Sequence, residues 1–134
     1  MRLELTKRGD YAVRAMLTLA RPGTGQLTAA ALAAATAIPA NYVPQVMGGL
    51  VRAGLVANRR GRLGGYTLAR PPSKVSLLAI VEAVEGDSRR RTCVMRGGPC
   101  GRAGSVCDVH DAFFRAQEAA TGTLGSVSLA DVAS

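Results

Sequence analysis

The sequence predicts a mainly α-helical fold with one small β-hairpin, and three observations carry that prediction. Apolar residues recur at helical spacing along most of the chain. Two short strand-like runs, Leu55-Val56-Ala57-Asn58 and Tyr66-Thr67-Leu68, flank a connection rich in arginine and glycine. The stretch from Asp87 to Val106 has no periodicity and holds the cysteines.

The first predicted helix runs from Lys7 to Ala20, with Val13, Met16, Leu17 and Ala20 on one face and Pro22-Gly23 ending it. Thr28 caps a second helix, Ala29 to Ala35, whose largest apolar residue is Leu32. After the connector Ala37-Ile38-Pro39 a third helix reaches Ala53, with Val43, Val46, Met47 and Leu50 as its buried stripe and Gly54 as C-cap. Pro44 is comfortable only in a first turn, which makes Asn41 the expected N-cap. Gly48-Gly49 weakens that helix by about 1 kcal/mol per glycine against alanine, unless close backbone approach demands them. In the hairpin connection Arg59-Arg60-Gly61-Arg62-Leu63-Gly64-Gly65, the glycines allow positive φ and close approach to another backbone. Pro71-Pro72 closes the unit, and a further helix spans Ser76 to Glu85 on Leu77, Ile80, Val81 and Val84. A last long helix, capped by Ser105, is expected from Val106 to about Ala120 with Phe113 and Phe114 as its bulky residues. Val127, Leu129 and Val132 form a second short apolar pattern in the tail. Two short helices, a tight turn, a third helix and a hairpin make a winged helix-turn-helix arrangement.

The 134 residues suit one domain, or a small domain with an appended arm. Apolar residues are 48% of the chain but aromatics only 4%, and much of the apolar share is alanine. Such a thin core favours burying further surface against a partner subunit. Net charge is +8, from 17 Lys and Arg against 9 Asp and Glu, which points to an anionic partner. Double-stranded DNA fits best. The Ala-rich helices lack the basic face and bulky anchors of a membrane-surface helix, and few aromatics are available to stack RNA bases. No stretch approaches the roughly 20 apolar residues of a membrane span, and no signal peptide is evident, so a cytoplasmic location is expected.

The expected DNA contacts divide into steering and reading. Arg59, Arg60 and Arg62 on the hairpin tip reach phosphates or a narrow minor groove, and Gly64, Gly65 and Tyr66 complete that wing. Asn41, Tyr42 and Gln45 open the third helix, the part that normally faces base edges; Asn and Gln pair with adenine, whereas Tyr takes a phosphate. Arg52 and Lys7 are further phosphate candidates, while Arg89-Arg90-Arg91 reads as a solvated charge run.

All three cysteines, Cys93, Cys100 and Cys107, fall in one glycine-rich window, and the only histidine, His110, follows three residues later. The odd count and clustering suit a reducing compartment better than a disulfide framework. Six-residue gaps are too wide for paired zinc-knuckle ligands, although zinc stays open as the bound metal. Thiolates spaced by flexible loops can instead wrap an iron–sulfur cluster. Cys107 at a helix N-terminus would favour thiolate, with His110 one turn on. A thiol enzyme is disfavoured, because there is no Cys-x-x-Cys and no second histidine for a nucleophile–base pair.

With these residues in view the chain resembles the IscR/NsrR (Rrf-type) family of winged-helix iron–sulfur transcriptional regulators. The resemblance runs through Leu5-Thr6-Lys7-Arg8-Gly9-Asp10-Tyr11-Ala12-Val13-Arg14-Ala15-Met16-Leu17, Ile38-Pro39-Ala40-Asn41-Tyr42, Arg52-Ala53-Gly54-Leu55-Val56 and the wing Arg60 to Leu68, and then the three cysteines. It implies a homodimer held by the long helix after the cysteines, a pseudopalindromic operator, and a cluster whose state alters DNA affinity. It divides the chain into a winged domain over residues 1–86, a cluster loop over 87–107, and a dimerisation helix with tail over 106–134. The fourth ligand it implies is His110, as in IscR-like members with a 2Fe-2S cluster, or Asp10 of the other subunit, as in NsrR-like members with a 4Fe-4S cluster. His110 is preferred, since it is close in sequence and needs no second subunit. The cysteine gaps are slightly longer than is usual in either subfamily.

Overall fold

Four helices begin where a hydroxyl can take an orphan backbone N–H, and this local chemistry places most of the architecture. In the computed structural model, which describes residues 1–88, 93, 95 and 106–133, Thr6 accepts from the Gly9 N–H to start α1 (Lys7–Ala20) and Thr28 accepts from Ala31 to start α2 (Ala29–Thr36). Ser76 does the same for α4 (Leu77–Glu85) through Ala79. Ser128 and Asp131 form a reciprocal capping box on the short α6 (Leu129–Val132).

α3 (Val43–Arg52) departs from the expectation. Its N-cap is Tyr42, with no side-chain cap, and Asn41 stands outside the helix. The cause is Pro44, which falls in the first turn, where no backbone N–H is needed. The Gly48-Gly49 question also resolves. A Cβ at Gly49 would sit 3.1 Å from the Val84 side chain and 3.3 Å from the Ala83 carbonyl, so that glycine lets α3 lie close against α4.

The hairpin is antiparallel, β1 (Val56–Arg59) with β2 (Gly65–Leu68), in the register Val56↔Leu68 to Arg59↔Gly65. Leu27 adds a third rung: its N–H donates to the Tyr66 carbonyl at 3.0 Å and its carbonyl accepts from the Tyr66 N–H at 2.7 Å. The core lies between α1, α3 and α4, filled by Met16, Leu32, Met47, Leu50, Ile80 and Leu129 with almost no exposure. Each such side chain contributes about 1.5–3 kcal/mol of burial.

The last long helix, α5, spans His110–Ser126 and not Val106 to Ala120. Its N-cap is Val109, without a capping side chain, and Cys107 precedes it; the expected cap Ser105 lies outside the described residues. The C-terminal extension passes Gly122 and Gly125. There Thr121, Thr123 and Ser126 hydroxyls donate to carbonyls one turn back, and Gly125 faces Leu78. Beyond α5 the chain pairs with the start of α4: the Leu77 N–H donates to Val127 at 3.0 Å and the Leu129 N–H to Val75 at 2.7 Å. Among the described residues no helix is long and apolar enough to cross a membrane.

Candidate nucleic-acid interface and cysteine segment

The start of α3 presents Asn41 and Gln45 to solvent. Tyr42 is half-buried, its ring edge-on to Tyr11 with centroids 5.8 Å apart, so part of its surface is used in packing. Arg52, in the last turn of α3, folds back over Gly48 and suits the negative end of the helix. Lys7 is exposed at the first position of α1.

Arg59 lies within β1, paired with Gly65, and not in the loop; it is exposed. Arg60 and Arg62 occupy the tip itself, also exposed. The tip is held from three sides. The Gly64 N–H donates to the Gly61 carbonyl at 2.9 Å, and the Gln26 side-chain amide donates to the Leu63 carbonyl. Any Cβ at Gly65 would lie 2.6 Å from the Leu27 carbonyl oxygen, so the wing can close onto Leu27 only with glycine there. Tyr66 is half-buried and packs against the core. Gln26 and Leu27 were not expected to support the wing. They sit between a Pro-Gly turn and a helix cap, where no local pattern marks a strand partner.

Among the described residues the only arginines in ion pairs are Arg2, with Glu4, and Arg14, with Asp10 at 2.9 Å. Arg52, Arg59, Arg60, Arg62 and Lys7 thus project positive charge without a carboxylate beside them, which is what a phosphate backbone requires.

Of the expected metal ligands, Cys93 is buried and its sulfur accepts the Met95 N–H at 3.4 Å. Cys107 is half-buried, and its carbonyl accepts the His110 N–H at 3.1 Å in the turn that enters α5. Because Cys107 precedes the helix, it and His110 do not form the expected helical pair. The His110 ring stacks on Phe114, 6.1 Å between centroids and 11° between planes. Cys100 lies outside the described residues, and among those described no three metal-ligating side chains converge. Asp10 points its carboxylate at Arg14.

The family model Rrf2, described as an iron-dependent transcriptional regulator, matches residues 5–134. A helix-turn-helix-type transcriptional regulator of Neisseria meningitidis serogroup A is 34% identical over 97% of this chain and 87% of its own length. The transcriptional regulator IscR of Klebsiella pneumoniae is 31% identical over 97% of this chain and 79% of its own. Among solved structures, CymR, the global cysteine regulator of B. subtilis, superposes with a TM-score of 0.78 at 26% identity, covering 98% of this chain and 97% of that one. IscR of T. potens does so with a TM-score of 0.73 at 27% identity, covering 96% and 85%. The chain is therefore similar, over nearly its whole length in sequence and in fold, to helix-turn-helix-type transcriptional regulators, and it belongs to the Rrf2 family of transcriptional regulators.

Proposed function

We propose that the chain is a homodimeric repressor, acting in the cytoplasm by binding rather than turnover, whose operator affinity is set by an iron–sulfur cluster. In this reading residues 1–86 bind duplex DNA, 87–107 hold the cluster and 106–134 join the subunits. Cys93, Cys100 and Cys107 supply thiolates, and His110 is the fourth ligand. Three thiolates and an imidazole form a donor set of the kind that holds such a cluster. Asp10 of the partner is the weaker candidate, because each Asp10 carboxylate is already engaged by its own Arg14. His110 thereby favours a 2Fe-2S over a 4Fe-4S centre. When bound, the cluster would supply a centre responsive to redox state, nitric oxide or iron supply.

The observation that carries the reading is a continuous path. The segment bearing the thiols enters α5 through the Cys107–His110 turn, α5 is tied at its far end to the start of α4, and α4 lies directly on α3 at Gly49. An ordering change at the cysteines can thus be felt at the helix that faces DNA. In a symmetric dimer it would alter how two such helices match half-sites about 34 Å apart, or a multiple of that. A coupling of about 1–3 kcal/mol corresponds to a 5- to 150-fold change in operator affinity.

Anaerobic purification followed by iron and sulfide analysis and a visible spectrum tests this directly. Cys100→Ser is expected to stay folded, lose visible absorbance and lose signal-dependent DNA binding. A second reading has support from the likeness to CymR, one of whose solved structures, from Staphylococcus aureus, is of an oxidized form. There the same cysteines would respond as thiols without a cluster. Colourless, iron-poor protein after reconstitution, with DNA binding still sensitive to oxidant, selects that alternative.

A further inference from the structure

Leu63 stands at the summit of the wing with 84% of its surface exposed, flanked by Arg62 and a glycine pair. Among the described residues it joins no hydrophobic cluster, yet the backbone around it is held by hydrogen bonds. Gln26 donates to its carbonyl, the Gly61–Gly64 hydrogen bond closes the turn around it, and Gly65 seats the turn on Leu27. A leucine so presented exposes apolar surface to water. Two exposed arginines, Arg60 and Arg62, lie on the same tip, and a third, Arg59, at its base. Charge of that sign would draw the tip toward closely spaced phosphates, as at a narrow minor groove. There an aliphatic side chain meets deoxyribose edges and the base edges at the groove floor.

We infer that Leu63 is a specificity-determining residue that enters the DNA minor groove and selects against G·C pairs beneath the wing. The inference rests on the DNA-binding reading above. Its chemistry is one of desolvation. In the minor groove A·T and T·A show only acceptors, whereas G·C adds the guanine amino group as a donor. A leucine side chain has no acceptor, so covering that amino group strips its water and leaves its groove-facing N–H without a partner. Apolar side chains inserted into minor grooves are an established device in DNA-binding proteins.

The test uses the full-length protein, in whichever of its metal-loaded and metal-free preparations binds DNA, and a duplex it selects from a random pool. Single A·T pairs along the flanks are replaced in turn by G·C and by inosine·C, which has the major-groove face of G·C but lacks the minor-groove amino group. Wild-type protein is expected to bind the G·C duplex roughly ten-fold more weakly at one or two wing positions, and inosine·C to restore affinity. Leu63→Asn, which offers the amino group an acceptor, should abolish that discrimination while leaving the melting temperature and the salt dependence of binding unchanged. The inference is overturned if no flanking position distinguishes G·C from inosine·C, or if Leu63→Asn discriminates as the wild type does. Failure to select any sequence at all would instead overturn the underlying DNA-binding reading.

Discussion

In the wing the backbone is held by hydrogen bonds, within the tip from Gly64 to Gly61 and to the rest of the domain from Tyr66 to Leu27 and from the Gln26 side chain to Leu63. In α5 the balance is reversed. It runs for 17 residues without one that is buried, and Phe114 is 51% exposed. Its ties are the Gln117 amide donating to the Ser88 carbonyl at 2.7 Å, some packing on α4, and the return of the chain through Val127 and Leu129. The wing's order comes from hydrogen bonds within the chain, whereas α5 leaves apolar surface, Phe114 above all, exposed. Under the proposed dimeric reading this contrast has a use: the spacing of two wings would be set by how two α5 helices pack.

The largest expected effect probes how α5 is anchored. Leu129 is fully buried in the same core as Met16 and Ile80, although it lies only a few residues past α5. Leu129→Ala is expected to cost about 2–5 kcal/mol in urea denaturation. A loss under about 1 kcal/mol would mean that the tail is peripheral to the domain. A smaller effect on folding, but a clear one on assembly, is expected at the exposed face. Phe114→Ser should barely change the secondary structure of α5, since Phe114 is half out of the chain's own packing, yet it should weaken self-association measurably in sedimentation. An unchanged dimer would place the subunit contact elsewhere.

The smallest effect concerns the cap that starts α6. The Asp131 carboxylate accepts the Ser128 backbone N–H at 2.8 Å, while the Asp131 backbone N–H donates to the Ser128 hydroxyl oxygen; the hydrogen bonds from the Ser128 backbone and then its side chain hold the carboxyl pKa below the ordinary value of 3.8. A carboxylate depressed in the folded state stabilises above its unfolded pKa, and that contribution disappears as pH falls through the folded value. Asp131→Asn should therefore lower stability slightly by a constant amount near neutrality. Its denaturation curve should converge with wild type below about pH 4. A difference that persists into acid would assign the effect to packing.

Helix limits were legible where a side chain next to the boundary decides them: Thr28 caps α2 as expected, and α1 runs over the residues its apolar spacing marks, Lys7–Ala20. Thr6 and Ser76 cap α1 and α4 as well, although neither was expected as a cap and Ser76 was expected inside its helix. The arginine-rich hairpin and its glycines were legible for the same reason, since turn chemistry is local. The start of α3 was misplaced by one residue: an asparagine suited to capping was present at 41, but the N-cap is Tyr42, with Pro44 in the first turn. The long helix was misplaced because its residues carry little periodicity and its end depends on contacts with Leu78 and on pairing at Val127.

Composition and short-range pattern were enough for the helical class, the basic wing and the clustering of donors between α4 and α5, since charge, ring closure and backbone sterics act over a few residues. That Leu27 braces the wing, that Gly49 brings α4 onto α3, and that Leu129 returns to the core emerged only once the chain was folded. Each joins residues far apart in sequence, where one more leucine or glycine looks like any other until burial and a partner backbone give it a role.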